Sequence, residues 1–231
     1  MEHLPIYIGL LFGITVALTA YLFYKATNTS KVFLVITVAW ILIQVLLGLS
    51  GYFLFSKDTT PKLPLLVGPP TLLIFISFLV KRGRLFIDGL KIAELTLVHS
   101  VAILVELVLF LLFLYKYVPQ SMTFEGGNFD LFSGLTAPVV YYFGFVKKKL
   151  SRTILITWNF ICLALVINAS VQAVISLPNF PNGAVGQPDI ALGIFPFTLL
   201  PAVVVPLVLF AHLSSIRYLV IRRPSPNLVM N

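Results

Sequence analysis

Seven apolar runs of roughly bilayer-spanning length take up most of the sequence: Pro5 to Tyr24, Val32 to Phe55, Leu63 to Val80, Ile92 to Val118, Leu131 to Val146, Thr153 to Leu177 and Ile194 to Ile216. Crossing a hydrocarbon core about 30 Å thick takes roughly 20 residues of helix, whereas a barrel strand shows about ten residues of strict alternation. The runs here are continuous, so the expected fold is all-α. Composition agrees, because a chain that is 59% hydrophobic and only 10% charged lacks the polar side chains to cover a water-soluble globule. The expectation is a polytopic membrane protein with a single domain over 1–231, seven transmembrane helices, and no cleaved leader, since "MEHLP" has no basic flank before its apolar stretch.

Charge sets the orientation. Of the 16 basic residues, 13 fall in alternate connections: Lys25 and Lys31; Lys81, Arg82, Arg84 and Lys91; Lys147, Lys148, Lys149 and Arg152; Arg217, Arg222 and Arg223. Only Lys57, Lys62 and Lys116 lie on the other side. By the positive-inside rule the N-terminus is external and the C-terminus internal, which an odd number of spans also requires. The implied location is the cell membrane, multi-pass, with the bilayer and the anionic headgroups of its cytoplasmic face as partners. No basic domain exists outside the spans to hold nucleic acid. The stretch "KRGRLFIDGLKIAE" alternates basic and apolar residues and is expected to lie along the interface. The acceptor-like Asn28-Thr29-Ser30 falls on the cytoplasmic side, out of reach of glycosylation.

Prolines suggest broken helices. Pro64 and Pro69 open the third run and Pro196 and Pro201 the seventh, a weak correspondence consistent with a three-one-three arrangement over 5–80, 92–118 and 131–216. Pro201 and Pro206 each leave a carbonyl four residues earlier without its helical donor, and in lipid that carbonyl needs another partner.

The costly residues are few. In "TLVHSVAILVELVLF", residues 96–110, His99 and Glu106 are seven apart, so they share one helix face about 10 Å apart. An intramembrane carboxylate costs several kcal/mol unless protonated, paired or hydrated, so Glu106 is expected to face the bundle interior. Counting depth at about 1.5 Å per residue places His99, His212 and Asn159 in one inner layer and Glu106, Asn168 and Gln44 near the midplane. His99 is thus expected near His212, and Glu106 near polar groups of the second or sixth run. Asn159 and Asn168 are nine apart and point to opposite sides of their helix. In the external loop, Glu125, Asn128 and Asp130 of "EGGNFD" read either as a capping turn or as an entry site for a cation.

These residues make up a candidate substrate or proton site: His99, Glu106, His212, Asn159, Asn168 and Gln44, with Glu125, Asn128 and Asp130 outside. A metal is not expected, because a histidine and glutamate seven apart cannot share one ion, and His99 with His212 would need a third ligand. No lysine lies within the seventh run or in the interior of any other, which excludes a Schiff-base chromophore, and the single cysteine, Cys162, forms no intrachain disulfide. No motif names a cofactor or an oligomeric state. The favoured class is a small-molecule or ion binder or transporter with a polar site inside the bundle. An intramembrane enzyme acting on a lipid or isoprenoid through paired histidines, and a structural or receptor-like subunit, remain as alternatives.

Overall fold

The computed structural model describes residues 4–55, 62–178 and 189–221, and in these the regular structure is helical throughout. We number the helices α1 (Ile6–Ala26), α2 (Lys31–Leu49), α3 (Leu63–Leu79), α4 (Lys81–Asp88), α5 (Ile92–Leu114), α6 (Leu131–Val146), α7 (Arg152–Ile175) and α8 (Leu200–Ile221). Five of these, α1, α2, α5, α7 and α8, are long and apolar enough to cross a membrane, and α3 with α4 makes a sixth if the bent pair counts as one span. The protein is a multi-pass helical membrane protein in contact with lipid. Helix α6 is apolar but shorter.

Helix α5 occupies the centre, packed on α1, α6 and α8, while α7 pairs with α8. Helix α2 lies outermost and buries only Gln44 and Gly48; Val35, Ile36, Leu42 and Leu46 face outward, as lipid contact requires. Aromatic rings fill the interior near the α3–α4 bend, with Phe23 of α1 stacked on Phe33 and on Phe210 at 5.1 and 5.5 Å between centroids. Lipid tails are as apolar as these side chains, so close packing rather than water exclusion holds such helices together.

Helix α4 turns 93° from α3. Val80 is extended between them, and a Cβ at position 83 would collide with the Ser77 carbonyl, so only glycine permits the bend. Its apolar side chains, Ile87 and Phe86, pack inward, the Phe86 ring 6.5 Å from that of Phe210. Its basic face carries Lys81, Arg82 and Arg84. This helix covers the first part of the stretch whose basic and apolar residues alternate.

The basic connections gather at one end of the bundle. Asn28 Nδ2 donates to the Gly89 carbonyl at 2.9 Å and Lys91 N–H to that of Ala26 at 2.9 Å. Arg217 grips Asp88 through two bonds of 2.9 and 3.0 Å, and Arg152 donates to the last carbonyls of α8, Leu219 and Val220. Cations at a helix C-terminus meet its partial negative charge.

Several expected limits shift. Helix α2 stops at Leu49 rather than Phe55, because Gly48, Ser50 and Gly51 form a turn in which Gly51 takes φ 73°. Helix α5 ends at Leu114, before Lys116 at φ 63°. Helix α8 starts at Leu200, not Ile194, since Pro196 and Pro201 keep the preceding segment irregular. Lys57, Arg222, Arg223 and residues 179–188, between α7 and α8, lie outside the described residues.

Candidate functional site

Two polar clusters lie inside the bundle, joined along one face of α7. The first is built on a histidine pair. His99 of α5 and His212 of α8 are 1% and 0% exposed, and their rings stack 3.6 Å apart at an interplanar angle of 11°. Asn159 of α7 fixes one of them. Its Nδ2 donates to the Leu155 carbonyl at 2.9 Å, so its Oδ1 faces His212 Nδ1 at 3.1 Å and accepts. His212 therefore carries its proton on Nδ1 and presents a bare Nε2. That atom and both nitrogens of His99 are buried without a hydrogen-bond partner. Trp158 borders the pair, 5.6 Å from His99 and 6.0 Å from His212, its own N–H given to Thr136 Oγ1 at 2.9 Å.

The backbone is irregular at His99 and elsewhere along two other helices of the bundle. Helix α5 tightens into a 3-10 turn at His99–Val101, α6 ends in a π turn at Tyr142–Val146, and α8 begins with one at Leu200–Val204. Such departures often mark hinges or functional positions. Helix α6 approaches this turn so closely that a Cβ on Gly134 would lie 2.8 Å from the Ile103 nitrogen.

The second cluster surrounds Glu106. Its Oε1 accepts from Asn128 Nδ2 in the loop before α6; Asn128 also donates to the Met122 carbonyl at 3.1 Å and accepts from the Asp130 N–H at 3.1 Å. Asn128 thereby holds the Glu106 carboxyl and the backbone of Asp130. Glu106 Oε2, Asp130 Oδ1 and Ser133 Oγ are buried without partners. Burial pushes the Asp130 carboxyl up to about 6, with the neighbouring Ser133 hydroxyl acting against it.

Cys162 lies beside Ser133 and Asp130, one turn along α7 from Asn159, and so links the two clusters. Each buried group of this face, Trp158, Asn159 and Cys162, follows from helical spacing.

The sequence candidates separate as follows. His99, His212 and Asn159 are together, as depth counting places them. Glu106 is buried, but neither Gln44 nor Asn168 is its hydrogen-bond partner; the loop residue Asn128 is. Of the loop candidates, Asn128 and Asp130 are buried, because the loop folds back against the bundle, while Glu125 is exposed. Asn168 donates to the Gly127 carbonyl at 2.6 Å and holds that loop from α7. Gln44 stays apart on α2 with its Oε1 unpartnered. Trp158, Ser133 and Cys162 are additions that sequence reading did not single out.

The histidine stack does not suit one shared metal ion. A ring nitrogen directs its lone pair in the ring plane, and two nearly parallel planes 3.6 Å apart do not converge on a common point. Among the described residues no group of three or more His, Cys, Asp or Glu side chains is disposed to hold a metal.

A helical membrane protein with buried, partly unpartnered polar clusters is thus the class defined by fold and site. The chain belongs to the family described as Domain of unknown function (DUF8737), which matches residues 60–220 and so includes every residue of both clusters. No curated protein and no solved structure matches it.

Proposed function

We propose that the protein binds a small molecule or ion between the histidine pair and the carboxyl cluster and carries it across the membrane. The observation that carries this reading is the stacked pair His99 and His212, with three buried ring nitrogens lacking partners. A polar group buried without a partner costs about 1–3 kcal/mol, and purely structural packing has no reason to retain three of them. The site is closed in this conformation. Three of the helices that line it, α5, α6 and α8, carry the 3-10 and π turns, which supply places to bend.

The same reading takes α3 with α4, and the short α6, as spans, giving seven with the N-terminus outside. The support is the gathering of basic connections at one end, where α4 lies across the bundle axis, against the carboxyl-bearing loop at the other. Alkaline phosphatase fused after Gln120 is then active, and a fluorescent reporter at Asn231 is cytoplasmic.

The functional test is ligand-dependent thermal stabilisation of purified protein. A ligand at about 100 times its Kd adds about 2.7 kcal/mol. His99→Phe retains an aromatic ring on the stack but deletes both unpartnered nitrogens, so the stabilisation is expected to disappear. Stabilisation that persists in His99→Phe places the ligand elsewhere, and stoichiometric iron or zinc in the purified protein overturns the reading in favour of an intramembrane metalloenzyme.

A further inference from the structure

We infer that the molecule held at the proposed site is an elongated organic cation bearing N–H donors, and that its ammonium group pairs with Glu106; this rests on the binding reading above and names the class of ligand. The buried atoms left without a partner divide by chemical role. Gln44 Oε1, Glu106 Oε2, Asp130 Oδ1 and Asp189 Oδ2 are carbonyl and carboxylate oxygens, and His212 Nε2 is bare because its proton sits on Nδ1, toward Asn159; all five accept. The other unpartnered atoms, the hydroxyls of Ser100, Ser133, Thr198, Ser214 and Ser215 and the ring nitrogens of His99, can donate or accept. No obligate donor is among them. The indole N–H groups of Trp40 and Trp158 go to the Ala202 carbonyl and to Thr136 Oγ1. The amide N–H groups of Asn128, Asn159 and Asn168 go to Glu106 Oε1, the Leu155 carbonyl and the Gly127 carbonyl. The interior is short of donors, so a ligand that fits it must bring them.

Charge points the same way. Glu106, Asp130 and Asp189 are buried, and no lysine or arginine is among the buried residues described. The three half-buried cations are committed elsewhere: Lys62 to the Tyr52 carbonyl at 2.8 Å, Arg152 to the last carbonyls of α8, and Arg217 to Asp88. A carboxylate inside a span is costly until it is protonated or paired, so an anionic ligand would meet both the wrong charge and the wrong hydrogen-bonding role.

Glu106 is the residue that receives the cation. It is 1% exposed, Asn128 serves only its Oε1, and Oε2 is bare. It shares a face of α5 with His99, about 10 Å away along the axis, and His99 stacks on His212. A proton or a sodium ion at Glu106 would satisfy that carboxyl and leave the histidine end untouched. A molecule long enough to reach from Glu106 to His212 Nε2, with a donor at each end, serves both.

Thermal unfolding of the purified protein at fixed pH and chloride concentration tests this with three probes of similar length: 1,6-diammoniohexane, its fully N-methylated bis-quaternary analogue, and adipate. Expected is a saturable rise in Tm with the diammonium compound, a smaller one or none with the quaternary analogue, which keeps the charges but has no N–H, and none with adipate. In Glu106→Gln, folded by gel filtration, the concentration for half-maximal stabilisation rises at least about tenfold, since a hydrogen bond to a charged group is lost. The three probes are compared on the unsubstituted protein, so the class is decided even where Glu106→Gln folds poorly. Equal stabilisation by the quaternary analogue, or none by the diammonium compound, overturns the proposal. Stabilisation by adipate that disappears in His99→Phe overturns it too, while leaving the binding reading itself in place.

Discussion

The indole N–H of Trp40 donates to the carbonyl of Ala202 at 2.8 Å, and that carbonyl is the one that Pro206 leaves without an intrahelical donor. A proline in α8 therefore dictates what α2 must present to it. The other freed carbonyl, that of Phe197, is taken within its own segment by the Leu200 N–H at 2.9 Å. Because Ala202 is fully buried, Trp40→Phe is expected to lower stability by about 1–3 kcal/mol, the cost of a buried acceptor left bare. In a Pro206→Ala background the helix regains its own donor, and the same change costs less. Thermal denaturation of the four proteins in one detergent checks this; equal losses in both backgrounds rule out the coupling.

Asp189 supplies a pH dependence at the other end of the bundle. Its N–H donates to the Ser176 carbonyl at 2.7 Å, its Oδ1 accepts from the Leu192 N–H at 3.3 Å, and its Oδ2 is buried without a partner. Burial raises its carboxyl from 3.8 to about 7, against two backbone hydrogen bonds that lower it. A raised carboxyl means that the folded state binds the proton more tightly than the unfolded state. The resulting stabilisation is whole below 3.8 and is lost as pH rises through about 7. Thermal stability is thus expected to decline from mildly acidic to alkaline pH. Asp189→Asn, neutral throughout, declines less and exceeds the parent at alkaline pH. The slope that remains belongs in part to Asp130, raised in the same direction. Superimposable curves for the two proteins would exclude Asp189 as the source.

How far the sequence could be read depended on which physical signal each residue carries. His99 and His212 were legible because a titratable group in a span is costly and depth follows from residue count at about 1.5 Å per step. The 93° bend between α3 and α4 was not, because it depends on the close approach of Gly83 to Ser77, which no residue pattern announces. The partner of Glu106 was not, because depth counting treats every loop as external. Here the Gln120–Asp130 loop turns inward, aided by Gly126 and Gly127, which let the backbone approach Ser121 and Gln172 closely. Trp158, Ser133 and Cys162 carry no pattern that separates a site residue from a packing residue; only the fold places them beside Asn159 and Asp130.

The bond between His212 and Asn159 offers the sharpest test of whether the inner layer is a connected unit. His212→Leu leaves Asn159 Oδ1 buried with no donor, and Asn159→Leu leaves the His212 Nδ1–H with no acceptor. Each single change is expected to cost about 1–3 kcal/mol, since the stranded group keeps its desolvation penalty. The double change removes donor and acceptor together, so its loss falls short of the sum by about 0.5–3 kcal/mol, the range measured for residues in one network. His99 sharpens the reading further, because its contact with His212 is ring to ring, at 3.6 Å, without a hydrogen bond between them. Replacing it by Phe keeps an aromatic ring against His212 and is expected to cost less than either change at the Asn159 bond. Losses at His212 and Asn159 that add within about 0.5 kcal/mol would show that the bond is not formed, and His212 would then have no fixed tautomer with which to present Nε2 to a ligand.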